Sequence, residues 1–300
     1  MLKLLPNLYY QLIISEVNKI NPQIIHQHDY LSSIIASKML SKYKKVIFTN
    51  HTGQYLYLEK NFLSRLLQKY LIRHFKYIIA PSIELKPKTK NSKFISNGVD
   101  TNFFNGKKKK NNKKIIFLCA RRWAPTKGII YLAKAISKLD KNVLDKCLFL
   151  FAGNKSDDYI SYKKQILKIL KEIPKKNYKL LGNLSHRMLK KFYLLADASI
   201  LPSVMEATSL SALESMSCGT PVLSTNVGGM PSIIKNNSTG WLIESKNPII
   251  LKKKIEELVY KRSSFSKIGK NSKKIVHKKY SWSKISNEVF KIYKNIKNEK

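Results

Sequence analysis

Short apolar runs that close on polar loops and give way to helical patterns recur along the whole chain, and this alternation narrows the fold more than any other feature. Gln23 to His26, Lys45 to Thr49, Lys113 to Ala120 and Ala198 to Leu201 read as buried strands. Strands separated by helical stretches pair in parallel through right-handed crossovers, so the expected class is α/β with parallel sheets. A length of 300 residues suggests two such domains, and 43% hydrophobic content supports real cores. The lysine-rich run Gly106 to Lys114 is the one clear break in composition. It sets the expected division at 1–106, 107–280 and a final helix over 281–300. Asn97-Gly98, just before it, reads as a tight turn, either leading into a hinge or a turn and nothing more.

The most informative passage is Leu201 to Leu223, whose order is strand end, polar loop, helix, glycine stop and next strand. Pro202 cannot donate to a sheet ladder and closes the strand. Thr208 or Ser209 can cap a helix whose apolar positions Leu210, Leu213 and Met216 share a face, and Gly219 supplies a left-handed stop. Glu206 then precedes the helix and Glu214 falls in its second turn. The unpaired N–H groups between them suit a phosphate, and the two carboxylates can accept from sugar hydroxyls. The alternative is a capping box over Ser211 to Glu214, with Glu206 a solvated loop residue.

A second cluster favours the ligand reading. Arg121-Arg-Trp-Ala-Pro-Thr-Lys-Gly128 joins the strand ending at Ala120 to a helix over Ile129 to Leu139. Arg122 and Lys127 therefore sit on a strand-to-helix loop, at the carboxyl edge of the sheet where α/β domains bind ligands. One more lysine means little in this composition. Arginine is scarce, however: it occurs only at 65, 73, 121, 122, 187 and 262, and two of these are adjacent here. Its planar fork suits phosphate.

Together the two clusters resemble glycosyltransferase family 4, retaining nucleotide-sugar transferases of the GT-B fold, with two facing Rossmann-like domains. The family's Gly-Arg-Leu-x-x-x-Lys-Gly loop corresponds to Arg121 to Gly128. Its Glu-x7-Glu segment and following Glu-Ala-Met-Ala-Cys-Gly-x-Pro-Val correspond to Glu206 and to Glu214-Ser-Met-Ser-Cys-Gly-Thr-Pro-Val222. Asn226-Val-Gly-Gly-Met-Pro231 and Ser238-Thr-Gly-Trp-Leu242 are similar to family turns. So, in the first half, are His28-Asp29, Phe48-Thr-Asn-His-Thr-Gly53 and Ser96-Asn-Gly-Val-Asp100 with Phe104. The chain departs from the pattern at Arg121, where the family has glycine, and at Ser232, where it often has glutamate. Nothing before Gln23 matches the family's opening strand and Gly-rich loop, so the first domain is expected to be incomplete; Met1 to Asn18 reads as a helix instead.

The resemblance implies a retaining, metal-independent transferase that moves a hexose-type sugar from a nucleotide diphosphate-sugar to a glycan or lipid-linked acceptor, as in polysaccharide and cell-envelope synthesis. No cofactor beyond the donor is implied. Arg122, Lys127 and the N–H groups of Thr208, Ser209 and Leu210 would neutralise the departing diphosphate. Glu214 would accept from the ribose, Glu206 would hold the sugar, and His51 would face it from the first domain. Backbone near Gly182, Asn183 and Leu184 would read the base. The acceptor attacks on the face that the leaving group vacates, so no protein nucleophile is required, and the final helix would cross back onto the first domain. Other readings remain open: a nucleotide-sugar-binding protein without transfer activity, an epimerase or phosphorylase on the same fold, and a basic nucleic-acid-binding protein.

The net charge of +39 attracts anionic lipid or nucleic acid. The excess is nearly all lysine spread along the chain, as an AT-rich coding sequence would produce, and no nucleic-acid-binding module is recognisable. The candidate membrane-facing patches are the linker lysines and Lys60 to Lys76, a basic amphipathic stretch with Phe62, Leu66, Leu67, Leu71 and Phe75; an ordinary half-buried helix is its plainer reading. Cys119, Cys147 and Cys218 read as core residues, and no apolar run reaches the roughly 18 residues of a membrane span. The expected location is cytoplasmic, at the inner membrane face if a patch engages lipid. Asp157-Asp158 lacks metal-binding spacing and reads as a helix start.

Overall fold

The computed structural model describes residues 6–28, 34–51, 61–108, 113–153 and 158–298. Asp29, Thr52, Gly53, Lys60 and Asp157, with the first five residues and the middle of the lysine run, lie outside the described residues. The chain divides into two compact units, Met1–Ser96 with Ile285–Lys300, and Asn97–Lys284.

The first unit holds a four-stranded parallel sheet in the order β1 (Ile24–Gln27), β2 (Lys45–Thr49), β3 (Tyr77–Ala80) and β4 (Ser92–Phe94). Its helices are α1 (Pro6–Ile20), α2 (Ile34–Leu40) and α3 (Phe62–Ile72). Side chains alternate along a strand, so β2 feeds two cores. Val46 and Phe48 pack with Ile34, Ile72 and Phe75, whereas Ile47 packs with Ile79 and Ile95. The C-terminal helix, Trp282–Asn298, covers that second face through Ile285, Ile292 and Ile296.

The second unit carries six parallel strands: β5 (Ile115–Ala120), β6 (Cys147–Ala152), β7 (Tyr178–Gly182), β8 (Ala198–Leu201), β9 (Val222–Thr225) and β10 (Gly240–Ile243). Their spatial order is β10-β9-β8-β5-β6-β7. All six residues of β5 are buried. Ile115, Phe117 and Cys119 enter one core and Ile116, Leu118 and Ala120 the other, which is why the run reads as continuously apolar. The crossovers are α4 (Ile129–Ser137), α5 (Ile160–Lys171), α6 (His186–Leu195) and α7 (Leu210–Ser217), with single turns at Lys141–Leu144 and Met230–Ile233, and α8 (Pro248–Tyr260) and α9 (Ser264–Lys279) follow β10.

The units divide at Ser96 and Asn97, ahead of the lysine run. Val99 explains this: its N–H donates to the Tyr280 carbonyl, its carbonyl accepts from the Trp282 N–H, and its side chain joins a core of the second unit. Asn97-Gly98 forms no turn. Instead the Asn97 amide donates to the Thr208 carbonyl at 2.9 Å, a tertiary bond that overrides the local preference. The linker lysines do not all face water either. Lys108 is exposed as a residue, but its ammonium turns back to donate to the carbonyls of Tyr193 and Ala196 and to Thr220 Oγ1, and desolvation there pulls its pKa down to about 8.

Candidate donor site in the second unit

β5 is followed in space by β6 and β7 on one side and by β8 and β9 on the other. The strand order therefore reverses beside β5, and loops leaving β5 and β8 in opposite directions open a crevice at their carboxyl ends. The loop after β5 is 121–128 and the loop after β8 is 202–209.

These loops are joined by their backbones. The Thr126 carbonyl accepts from the N–H groups of Val204 and Met205 at 2.9 and 3.1 Å. Gly128 adopts φ +66°, and a Cβ there would stand 1.8 Å from the Pro202 carbonyl oxygen, so only glycine fits. Gly228, at φ +56°, meets the second loop from the other side. A Cβ on it would fall 1.5 Å from the Glu206 carbonyl oxygen.

Within this frame the charged side chains converge. The buried Arg121 guanidinium donates to Ser209 Oγ and Ser203 Oγ, each at 2.8 Å, and pairs with Glu206 Oε2. Lys127 Nζ reaches the two Glu206 oxygens at 3.2 and 3.0 Å. Glu206 is thus not a solvated loop residue, since it joins two cations on the 121–128 loop. Burial, with the neighbouring Arg121 and Arg122 charges, brings the Lys127 pKa down to about 7.

A pocket of about 290 Å³ opens beside this cluster, lined by Arg122, Lys127, Gly153, Asn183, Leu184 and Ser211. It gathers the ends of β5, β6 and β7 with the first turn of α7. Ser209 is the N-cap of α7, its hydroxyl accepting from the Ala212 N–H, so the helix starts before Ser211 and the Ser211–Glu214 capping box does not form. Thr208 and Ser209 are buried. Gly182 closes β7 at φ +66° and its carbonyl accepts from the Gly153 N–H.

Glu214 stands apart from that pocket. With Leu210, one turn away on α7, it lines a neighbouring pocket of about 390 Å³ shared with Asp100, Phe104, His186 and Trp282. Its Oε2 accepts from the Tyr193 hydroxyl at 3.0 Å, and burial raises its pKa. The two acids expected to flank one ligand therefore occupy different settings, one bound to cations and one in a partly apolar recess.

His51 belongs to the first unit and lies two residues beyond the end of β2. Its Nε2 lies 3.0 Å from His28 Nδ1, while His26 is held between Tyr293 and Thr49. Burial and the facing His28 lower the His51 pKa. Neither Arg121's inward bonds nor Ser203 and Tyr193 stand out in the sequence, and Asn97 does so only as part of a turn. The scarcity of arginine was the one available signal. Among the described residues no group of three or more His, Cys, Asp or Glu is placed to hold a metal ion, and no helix is long and apolar enough to cross a membrane.

Residues 100–275 match the family described as Glycosyl transferases group 1. An uncharacterized glycosyltransferase of Methanocaldococcus jannaschii is 28% identical over 267 residues, which are 83% of this chain and 69% of that protein. Curated relatives matched over most of this chain are spanned over 45 to 69% of their own length. Sucrose-phosphate synthase from Thermosynechococcus elongatus superposes with a TM-score of 0.83 at 20% identity, covering 98% of this chain and 79% of that one. HepE from Anabaena, in complex with UDP-glucose, gives 0.80 at 15% identity over 95% of this chain and 82% of that one. These two likenesses speak for the fold, which is GT-B.

Proposed function

The chain belongs to the group 1 glycosyl transferases, and on that premise we propose that its second unit binds a nucleoside diphosphate-sugar in the pocket beside Arg122 and Lys127 and transfers the sugar with retention. The observation that carries the reading is the meeting of Arg122, Lys127 and the first turn of α7 around one cavity at the carboxyl ends of β5, β6 and β7. The UDP-glucose held by the Anabaena protein supports a donor of this class.

In this reading the C1–oxygen bond to the diphosphate breaks while the acceptor oxygen bonds to C1 on the same face, and the acceptor's proton passes to the departing phosphate oxygen. Charge grows on the leaving diphosphate. Arg122, Lys127 and the N–H groups at Thr208, Ser209 and Leu210 stabilise it, and with these cations in place the reading requires no metal ion. The donor extends from this pocket into the neighbouring recess, where Glu214 accepts from the ribose, while Gly182 to Leu184 contact the base and His51 contributes to the transferred sugar. Glu206 acts first as the counter-ion that aims Lys127, and its Oε1, which carries a single partner bond, has capacity left for a sugar hydroxyl. A glycan or lipid-linked acceptor and a cytoplasmic site of action complete the proposal, with three buried, free cysteines in keeping with a reducing compartment.

Calorimetric titration of the full chain with UDP, GDP and their glucose conjugates tests the donor site, and release of nucleotide with an added acceptor tests transfer. Lys127→Ala is expected to keep the fold and to lower turnover by about 100- to 1000-fold. Wild-type rates in that variant would remove the assignment. Tight binding without turnover would identify a binding protein on the same fold.

A further inference from the structure

An amphipathic helix normally turns its apolar stripe to the core, and α3 does the reverse. Phe62, Leu63, Leu66, Leu67 and Tyr70 are between 47 and 78% exposed, whereas Gln68, at 2%, faces inward with Ile72. No other helix among the described residues turns out so many large apolar side chains. The neighbouring α2 extends the surface: Lys38 Nζ stands 3.7 Å from the centre of the Tyr70 ring, and Ile35 and Met39 on the same helix are about half exposed.

The charge around this stripe has one sign. Arg65, Lys69 and Arg73 flank it, and no acidic residue occurs from Ile34 to His51 or from Asn61 to Ile83. Lysine is abundant everywhere, but two of the chain's six arginines lie here. His74, next to Arg73, has its pKa lowered to about 4 by burial and adds no charge.

We propose that α2 and α3 dock the protein on an anionic lipid bilayer, with the α3 side chains entering the headgroup boundary and Arg65, Lys69, Arg73 and Lys38 resting on lipid phosphates. A second copy of the chain is the poorer occupant. A two-fold contact through this face would set cations against cations. The docking surface lies wholly in the first unit and does not depend on the donor assignment.

Sedimentation of the full chain with vesicles tests it, using phosphatidylcholine alone and an equal mixture of phosphatidylcholine and phosphatidylglycerol. Binding to the mixed vesicles, weakened by salt, is expected, with little binding to the neutral ones. Leu66→Glu with Leu67→Glu should abolish the binding. Arg65→Gln and Lys69→Gln should each weaken it about fivefold. Lys164→Gln and Lys168→Gln, on α5 of the second unit, each remove the same single charge and should change nothing. Equal loss in that control would reduce the effect to net charge, and equal binding to both vesicle types would remove the role of anionic lipid. A dimer in analytical ultracentrifugation that Leu66→Glu dissolves would assign the face to a second copy. Each of those results overturns the proposal, and thermal melts of every variant exclude unfolding as the cause.

Discussion

The two units spend the same lysine-rich composition in opposite ways. The second turns three of its cations onto protein acceptors: Arg121, which is buried, and Lys127 share Glu206, and Lys108 holds carbonyls and a hydroxyl. The first leaves its cations on the surface beside apolar side chains turned to solvent. A buried charge is costly unless paired, so it is tolerated only where other residues fix its position. An exposed charge constrains nothing and becomes informative only through its neighbours. Total charge alone, in consequence, says little about this protein.

The contrast breaks most sharply on stability. Arg121→Met leaves Glu206 with Lys127 as its single cation, and loss of one partner from a buried pair should cost about 3 kcal/mol in urea unfolding. Leu66→Glu, on the exposed stripe, should change the same measurement by less than about 0.5 kcal/mol. Similar values for the two would erase the distinction. His51→Ala tests what the first unit contributes to chemistry. Loss of one hydrogen bond to the sugar predicts about a 30-fold fall in kcat with nucleotide affinity unchanged, while equal loss in both would make His51 a folding residue.

The smallest effect is in pH. In the free protein Lys127 has its pKa lowered to about 7, and a bound diphosphate favours the ammonium form and raises it. Affinity for UDP should therefore be flat below pH 7 and fall as pH rises beyond it, by at most about tenfold per unit for one proton. Calorimetry across that range should show the slope in the wild type and its absence in Lys127→Ala. A flat wild-type profile would mean that Lys127 stays fully charged in the unliganded loop.

Much of both units is legible in the chain, because their strands announce themselves locally. Lys45–Thr49 and Ala198–Leu201 have the bounds that their apolar runs suggest, and Gly219 takes the left-handed conformation that a helix stop requires. The loop carrying Arg122 and Lys127 is legible for the same reason. What escapes is decided at long range. Whether Arg121 turns inward depends on Ser203, Glu206 and Ser209, more than 80 residues away. Asn97-Gly98 has the composition of a turn, but Thr208 claims its amide. Helical spacing does predict that Glu214 accompanies Leu210, though not that their shared face opens on a different pocket from Ser211. The α3 stripe was visible as a pattern, and only the burial of Gln68 reveals which way it faces.

The contact between Gly228 and the Glu206 carbonyl has a mechanical consequence. The turn after β9 and the loop after β8 are in backbone register, with the Gly229 N–H donating to the Ala207 carbonyl at 2.6 Å. Neither can be displaced without carrying the other, so a bulkier residue at 228 would act as a wedge, tilting a carboxylate it never touches. Reshaping this cavity for another sugar would then demand concerted changes in segments more than twenty residues apart, and isolated substitutions at the rim should be poorly tolerated.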